Sequence, residues 1–232
     1  MVFPYTNDPK VNMSEQDPNP SNKRERRPDA RPGEIVSAAL LAFAKLGFNA
    51  TRMEDIARES GVSKGTVFRY FPTKNDLFKA VVHAHLGSRF DVWRDMVKHS
   101  TGSTAELIEQ LMLQWWRDTG STPAAAISRI FLQEAKQFPD LVEYYEATVI
   151  QPGRDILQTV LERAVSRQEF RGVELEAVKA LAMAPLLMLA MTHSDPVMRS
   201  TLLSPNQTPE QLISKMADVI VRGLQHPTGE VS

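Results

Sequence analysis

Lys64, Thr66, Arg69 and Tyr70 lie within one short segment, and each can donate a hydrogen bond to a phosphate oxygen or a base edge. Donors grouped this closely suit contact with a polyanion, provided that one element presents them together. The flanking residues define such an element. Gly61 can take the left-handed conformation that ends a preceding helix, Ser63 can cap the next helix, and Pro72 stops it. The enclosed helix, from about Lys64 to Phe71, has roughly two turns. Val62, Val67, Phe68 and Phe71 are assigned to its buried side. Gly65 serves either close backbone approach to a partner or packing within the domain.

The elements before and after must hold this helix in place. Ile35, Ala39, Phe43 and Leu46 form one apolar stripe with Val36 and Leu40 beside it, and Gly47 ends that helix. Thr51-Arg52-Met53-Glu54 reads as a capping box, with Thr51 as the N-cap of a helix to about Ser60. Met53, Ile56 and Ala57 face inward, and the short connection through Gly61 makes a helix-turn-helix. Thr73-Lys74-Asn75-Asp76 then offers a second capping pattern. It opens a long helix running from Leu77 towards Val97, with a weak point at Gly87-Ser88.

Charge supports a polyanion partner locally. The chain of 232 residues has a net charge of only -1, yet residues 23–80 hold 12 Lys or Arg against 7 Asp or Glu, a net of +5. Residues 1–30 are rich in Pro and Asn and read as a disordered tail, whose Lys23-Arg24-Glu25-Arg26-Arg27 run is either a basic arm for DNA or a solubilising stretch. There are no cysteines, which excludes disulfides and thiolate metal sites. The N-terminus lacks the basic start and apolar run of a signal peptide. Ala180–Met191, interrupted by Pro185, falls short of the roughly 20 residues of a membrane span. A cytoplasmic protein with no membrane partner is expected.

Beyond residue 100 the spacing predicts helices at about 104–118, 123–137, 140–167 with a kink near Pro152-Gly153, 174–192 with Pro185 inside, and 209–224. No stretch alternates with period two, so the fold class is all-α. The division expected is a tail at 1–30, a DNA-binding unit at 31–80 and a helical effector and dimerisation unit at 81–226. Met112, Trp115, Trp116, Phe131, Glu134, Tyr145 and Met188 are candidates for an adaptable apolar effector pocket, with core packing as the competing explanation for each. Gln114, Arg129 and Gln133 are further polar candidates. The helices at about 140–167, carrying Ile156, Leu157, Val160, Leu161, Ala164 and Val165, and at 174–192, apolar on most sides, suit a homodimer formed as a four-helix bundle. The five histidines show no metalloprotease spacing and no phosphate loop is present, so no catalytic residues, metal or cofactor are assigned.

The residues of the first unit closely resemble the TetR/AcrR family of helix-turn-helix transcriptional regulators. The resemblance covers roughly residues 31–80 and is carried by Phe43, Gly47, Thr51, Ile56-Ala57, Gly61-Val62-Ser63, Gly65-Thr66-Val67-Phe68, Tyr70-Phe71, Lys74 and Leu77-Phe78. Pro32-Gly33, where basic residues are common, and the long leading tail depart from the pattern. The resemblance implies a dimer on a near-palindromic double-stranded operator, with one reading helix per half-site in successive major grooves. It places Tyr70, Lys74 and Thr51 on phosphates. Ser63, Lys64, Gly65 and Thr66 then stand at the groove-entering start of the helix, with Arg52 and Arg69 as further contacts. The function expected is a repressor released by a small apolar or amphipathic effector. The alternative is a DNA-binding regulator controlled by a protein partner or lacking a small-molecule ligand.

Overall fold

The computed structural model describes residues 31–225 except 135, 136, 173, 174, 194 and 205. The tail at 1–30, with its basic run, lies outside the described residues. Twelve α-helices and no strand are found among the described residues. The first four are α1 (Arg31–Leu46), α2 (Met53–Ser60), α3 (Lys64–Tyr70) and α4 (Lys74–Val82), followed by α5 (Arg89–His99) and α6 (Thr104–Trp115). Then come α7 (Ala125–Glu134), α8 (Pro139–Tyr145), α9 (Gln151–Ser166), α10 (Leu175–Thr192), α11 (Pro196–Leu202) and α12 (Pro209–Leu224). Asp195 caps α11 by accepting from the amides of Val197 and Met198, a short helix that the hydrophobic spacing did not announce.

Local signals account for the first unit. Gly47 and Gly61 both have positive φ, 80° and 66°, and so end α1 and α2 in the left-handed conformation that costs glycine little. Ser63 Oγ accepts from the Thr66 amide at 3.1 Å and thereby caps α3. Thr73 and Asp76 form a reciprocal capping box on α4. Around these caps, Ile35, Ala39, Phe43, Phe48, Ile56, Val67, Leu77 and Val81 are fully buried.

Two expectations are corrected here. The N-cap of α2 is Arg52, not Thr51: the Arg52 amide donates to Asp55 Oδ2 at 3.1 Å, so Asp55 rather than Glu54 closes the first turn. Thr51 is 1 % exposed, and its hydroxyl donates back to the Gly47 and Ala42 carbonyls at the end of α1. Phe68 is 39 % exposed rather than buried, because α3 turns it outward beneath the Lys64 ammonium.

The helix expected from Leu77 to Val97 is divided by a π-helical turn at His83–Gly87. Two further π turns, Trp116–Gly120 and Glu146–Ile150, interrupt the predicted helices at 104–118 and 140–167. The first and third touch: a Cβ on Gly87 would lie 2.9 Å from Thr148 Cγ2, so only glycine permits the approach. Pro152, without an amide hydrogen, opens α9 directly after the third turn.

A second apolar cluster, built on Phe90, Trp93, Leu107, Trp116, Val160, Leu189, Ile213 and Val221, joins α5, α6, α9, α10 and α12. Ile127, Ile130, Leu141 and Tyr145 from α7 and α8 instead join the cluster of the first unit. The α9 residues Ile156, Val160, Leu161 and Ala164 are buried within the protomer, so they are not available as a subunit face; of that set only Val165 is exposed.

Candidate DNA-reading surface and effector cavity

The first turn of α3 gathers Ser63, Lys64, Gly65 and Thr66 at the surface, where the Ser63 and Thr66 hydroxyls are 2.8 Å apart. Lys64 pairs with Glu54 of α2, and that hydrogen bond holds the Glu54 carboxyl below the usual carboxylate range. One cation of the reading helix is thus tethered to the helix that supports it. Arg69 is exposed and lies over the ring of Tyr70, whose body packs against the first core. Arg52 is exposed at the start of α2. A Cβ on Gly65 would meet only Ser63 Oγ, at 3.8 Å. Packing therefore does not require glycine there.

Lys74 departs from the expected role on phosphate. Its ammonium donates to the carbonyls of Phe48, Asn49 and Thr51 at 2.7, 3.2 and 3.0 Å and lies 4.5 Å from the centre of the Phe48 ring. These bonds pin the α1–α2 turn to the start of α4. Lys74→Met is expected to lower stability by about 1–3 kcal/mol, read from urea denaturation, because three carbonyls lose a charged donor. A Lys74→Met protein of unchanged stability but weaker DNA binding would restore the phosphate role. Thr51 is likewise turned inward, so its hydroxyl does not face solvent.

The larger helical body contains a cavity of about 430 Å³. Its wall is mainly apolar, with Leu86 of the first π turn, Phe90 and Trp93 of α5, Ile108, Met112 and Trp115 of α6, Ile156 and Leu157 of α9, and Met183 and Leu186 of α10. Arg154 and Lys179 stand at its edge, joined by the Glu176 carboxylate. Of the expected pocket residues, Met112 and Trp115 line this space. Trp116, 1 % exposed, is directed into the packing around α12, and its indole donates to Glu210 at 2.9 Å. Phe131 stacks on Tyr145 in the other cluster, with ring centres 4.0 Å apart. Met188 is 45 % exposed on the outside of α10. The side chain of Glu134 lies outside the described residues.

Gln114 holds Asp118, which accepts from the Trp93 indole at 3.0 Å, so it orients a wall residue without lining the cavity. Arg129 donates to the Ala44 carbonyl at 2.7 Å, and Gln133 is exposed. Sequence reasoning missed Phe90 and Trp93, although the i, i+3, i+7 spacing of Phe90, Trp93 and Val97 marks an inward face. It also missed Arg154 and Lys179, for which no signal was available.

Several contacts connect the two regions. Leu86 belongs to the first core and also lines the cavity. Ser128, another lining residue, shares a 3.1 Å hydrogen bond with the Tyr145 hydroxyl, and burial raises the pKa of that phenol. Burial opposes ionisation of Asp140 at the start of α8, but hydrogen bonds from Asn75 and Lys79 of α4 outweigh it and keep the carboxyl below its ordinary range.

A helix-turn-helix unit joined to a larger all-α body is the architecture of a family of DNA-binding transcriptional regulators. The chain belongs to the TetR family: residues 35–81 match bacterial regulatory proteins of the tetR family, and residues 98–204 match the tetracyclin repressor-like C-terminal domain. The HTH-type transcriptional regulator RutR of Escherichia coli strain K12 is 42% identical over 73 residues, 32% of each chain. The match thus spans about a third of that relative's length. The fatty acid degradation regulator FadR from Bacillus halodurans has a TM-score of 0.70 at 17% identity, covering 84% of this chain and 97% of that one. FadR from Bacillus subtilis, solved in complex with stearoyl-CoA, has a TM-score of 0.69 at 16% identity, covering 83% and 99%. At these identities the two structures establish the fold alone. Among the described residues no helix is long and apolar enough to cross a membrane.

Proposed function

We propose that the protein is a repressor that binds a near-palindromic operator as a homodimer and leaves it when a small apolar or amphipathic effector enters the cavity. The observation that carries this reading is the shared wall, since Leu86 and the Ser128–Tyr145 pair belong to both the cavity and the packing of the reading unit. An effector that changes the position of that wall has unequal affinity for two placements of α3, the requirement for shifting their populations. The cavity of about 430 Å³ within the helical body favours this reading over a regulator without a ligand. A relative of the same fold that binds stearoyl-CoA also supports it.

Residues 31–80 act as the reading unit and 81–226 as the effector and dimerisation unit, working in the cytoplasm. Thr66, Lys64, Ser63 and Gly65 meet base edges, whereas Arg52, Arg69 and Tyr70 meet phosphates. The dimer face is the outer side of α10, where Leu181 and Met188 are exposed two helical turns apart. Small Ala177 on that side admits a partner helix.

The test is anisotropy titration of the full chain against DNA from upstream of its own gene. Affinity is expected to fall on the order of 10³-fold between ~50 and ~200 mM salt as counterions are released. Tyr70→Phe weakens every sequence alike, whereas Thr66→Ala and Lys64→Ala change the sequence ranking, at about 1–3 kcal/mol each. Unchanged binding in all three variants would remove α3 as the reading helix.

A further inference from the structure

Building on the effector role above, we propose that the cavity takes an amphipathic molecule whose apolar part lies against its wall and whose anionic head displaces the Glu176 carboxylate from Arg154 and Lys179. Among the described residues the wall contains no Asp or Glu, and its polar members are Thr119, Ser128, Arg154 and Lys179. Thr119 and Ser128 are buried and belong to the depth of the site. The two cations are partly exposed, with side chains 40% and 30% accessible, and mark its mouth. Apolar surface behind a cationic edge is complementary to an amphipathic anion and repels an amphipathic cation.

Glu176 shows what the edge recognises. Its carboxylate accepts from Lys179 at 2.6 Å and also contacts Arg154, so a single oxyanion group bridges both cations. The bonds from Lys179, with Arg154 beside it, keep the carboxyl below its usual pKa. Glu176 is not a lining residue, and its side chain is 54% exposed. It can swing into solvent at little cost, leaving two donors for an incoming anion. The resident carboxylate therefore stands in for the head group.

Twelve-carbon amphiphiles are suitable probes for a cavity of about 430 Å³. The anionic head comes either from a free carboxylate or from the phosphates of a carrier thioester held outside the mouth.

The test is tryptophan fluorescence titration of the full chain, since Trp93 and Trp115 line the cavity and report occupancy. The probes are dodecanoate, dodecanoyl-CoA, dodecanol and dodecyltrimethylammonium, each below its aggregation threshold. At least one anion is expected to bind about tenfold or more tightly than dodecanol, and the ammonium probe most weakly. Arg154→Gln and Lys179→Gln each remove about tenfold of the preference for the anion over dodecanol, and Glu176→Gln raises anion affinity severalfold without altering dodecanol binding. All three side chains are partly exposed, so the variants fold, as circular dichroism will verify. The ratio of free acid to thioester affinity identifies the source of the head group. If dodecanol matches both anions and Arg154→Gln leaves that ratio unchanged, the head-group assignment is wrong while the effector role stands. If no probe alters the fluorescence or operator affinity, both fall together.

Discussion

Phe48→Ala is expected to lower the stability of the protein by about 3–5 kcal/mol, the usual cost of emptying a buried phenyl site. Phe48 is fully buried, with its ring centre 5.5 Å from Phe43, 5.1 Å from Phe78 and 5.0 Å from Phe138. Three of these rings come from α1, the α1–α2 turn and α4, and Phe138 comes from the residue before α8. Lys74 covers the remaining face of the ring and also bonds to the Phe48 carbonyl. Removing the phenyl group therefore loses apolar contact, edge-to-face contacts and a cation–π contact at one place. Urea denaturation followed by circular dichroism measures the loss, and anisotropy on the same sample shows whether operator binding goes with it. Phe48→Leu keeps most of the volume and is expected to cost about 1.5 kcal/mol or less. A Phe48→Ala loss as small as that of Phe48→Leu would show that α8 closes over the space.

Gly65→Ala is expected to change stability and DNA binding in opposite directions. The added methyl group meets only Ser63 Oγ at 3.8 Å, an ordinary contact, and Gly65 does not have positive φ. Alanine in a helix is favoured over glycine by up to about 1 kcal/mol, so the variant melts at a higher temperature. The same methyl group projects from the turn that carries Ser63, Lys64 and Thr66. If that backbone approaches the bases closely, operator affinity falls by about tenfold or more. Thermal melting and anisotropy on one preparation give both readings. Equal operator affinity in Gly65→Ala and the parent would take this turn out of the interface.

The first unit was legible because its signals are local. Gly61, Ser63, Pro72, Thr73 and Asp76 each act on a backbone group within a few residues, and each has its expected place in the structure. The error at Thr51 has the same origin, since two consecutive acids, Glu54 and Asp55, both fit the first turn and sequence does not decide which closes it. Lys74 was harder to read because its acceptors lie 23 to 26 residues away, across the α1–α2 turn.

The cavity was legible only in part. Met112 and Trp115 share one face of α6 and were found together. Trp116 is one residue further, rotated by about 100° towards α12. Periodicity reports that a face is apolar and not what covers it, so the α9 residues fitted a subunit interface as well as the protomer core in which they lie. Arg154 and Lys179 looked like ordinary surface cations, since nothing within either helix refers to the apolar space between them.

The three π turns give the cavity a mechanical character. Each contributes to its wall, through Leu86, Thr119, and Val149 with Ile150. A π turn carries one residue more than the α-turn it replaces, and its backbone bonds have poorer geometry. Moving that surplus residue along a helix turns the following side chains by about 100° while keeping most of the ladder intact. Three points of the compartment's wall are therefore held by backbone bonds weaker than those of an α-helix, while the Gly87–Thr148 contact locks the register of the first and third turns together.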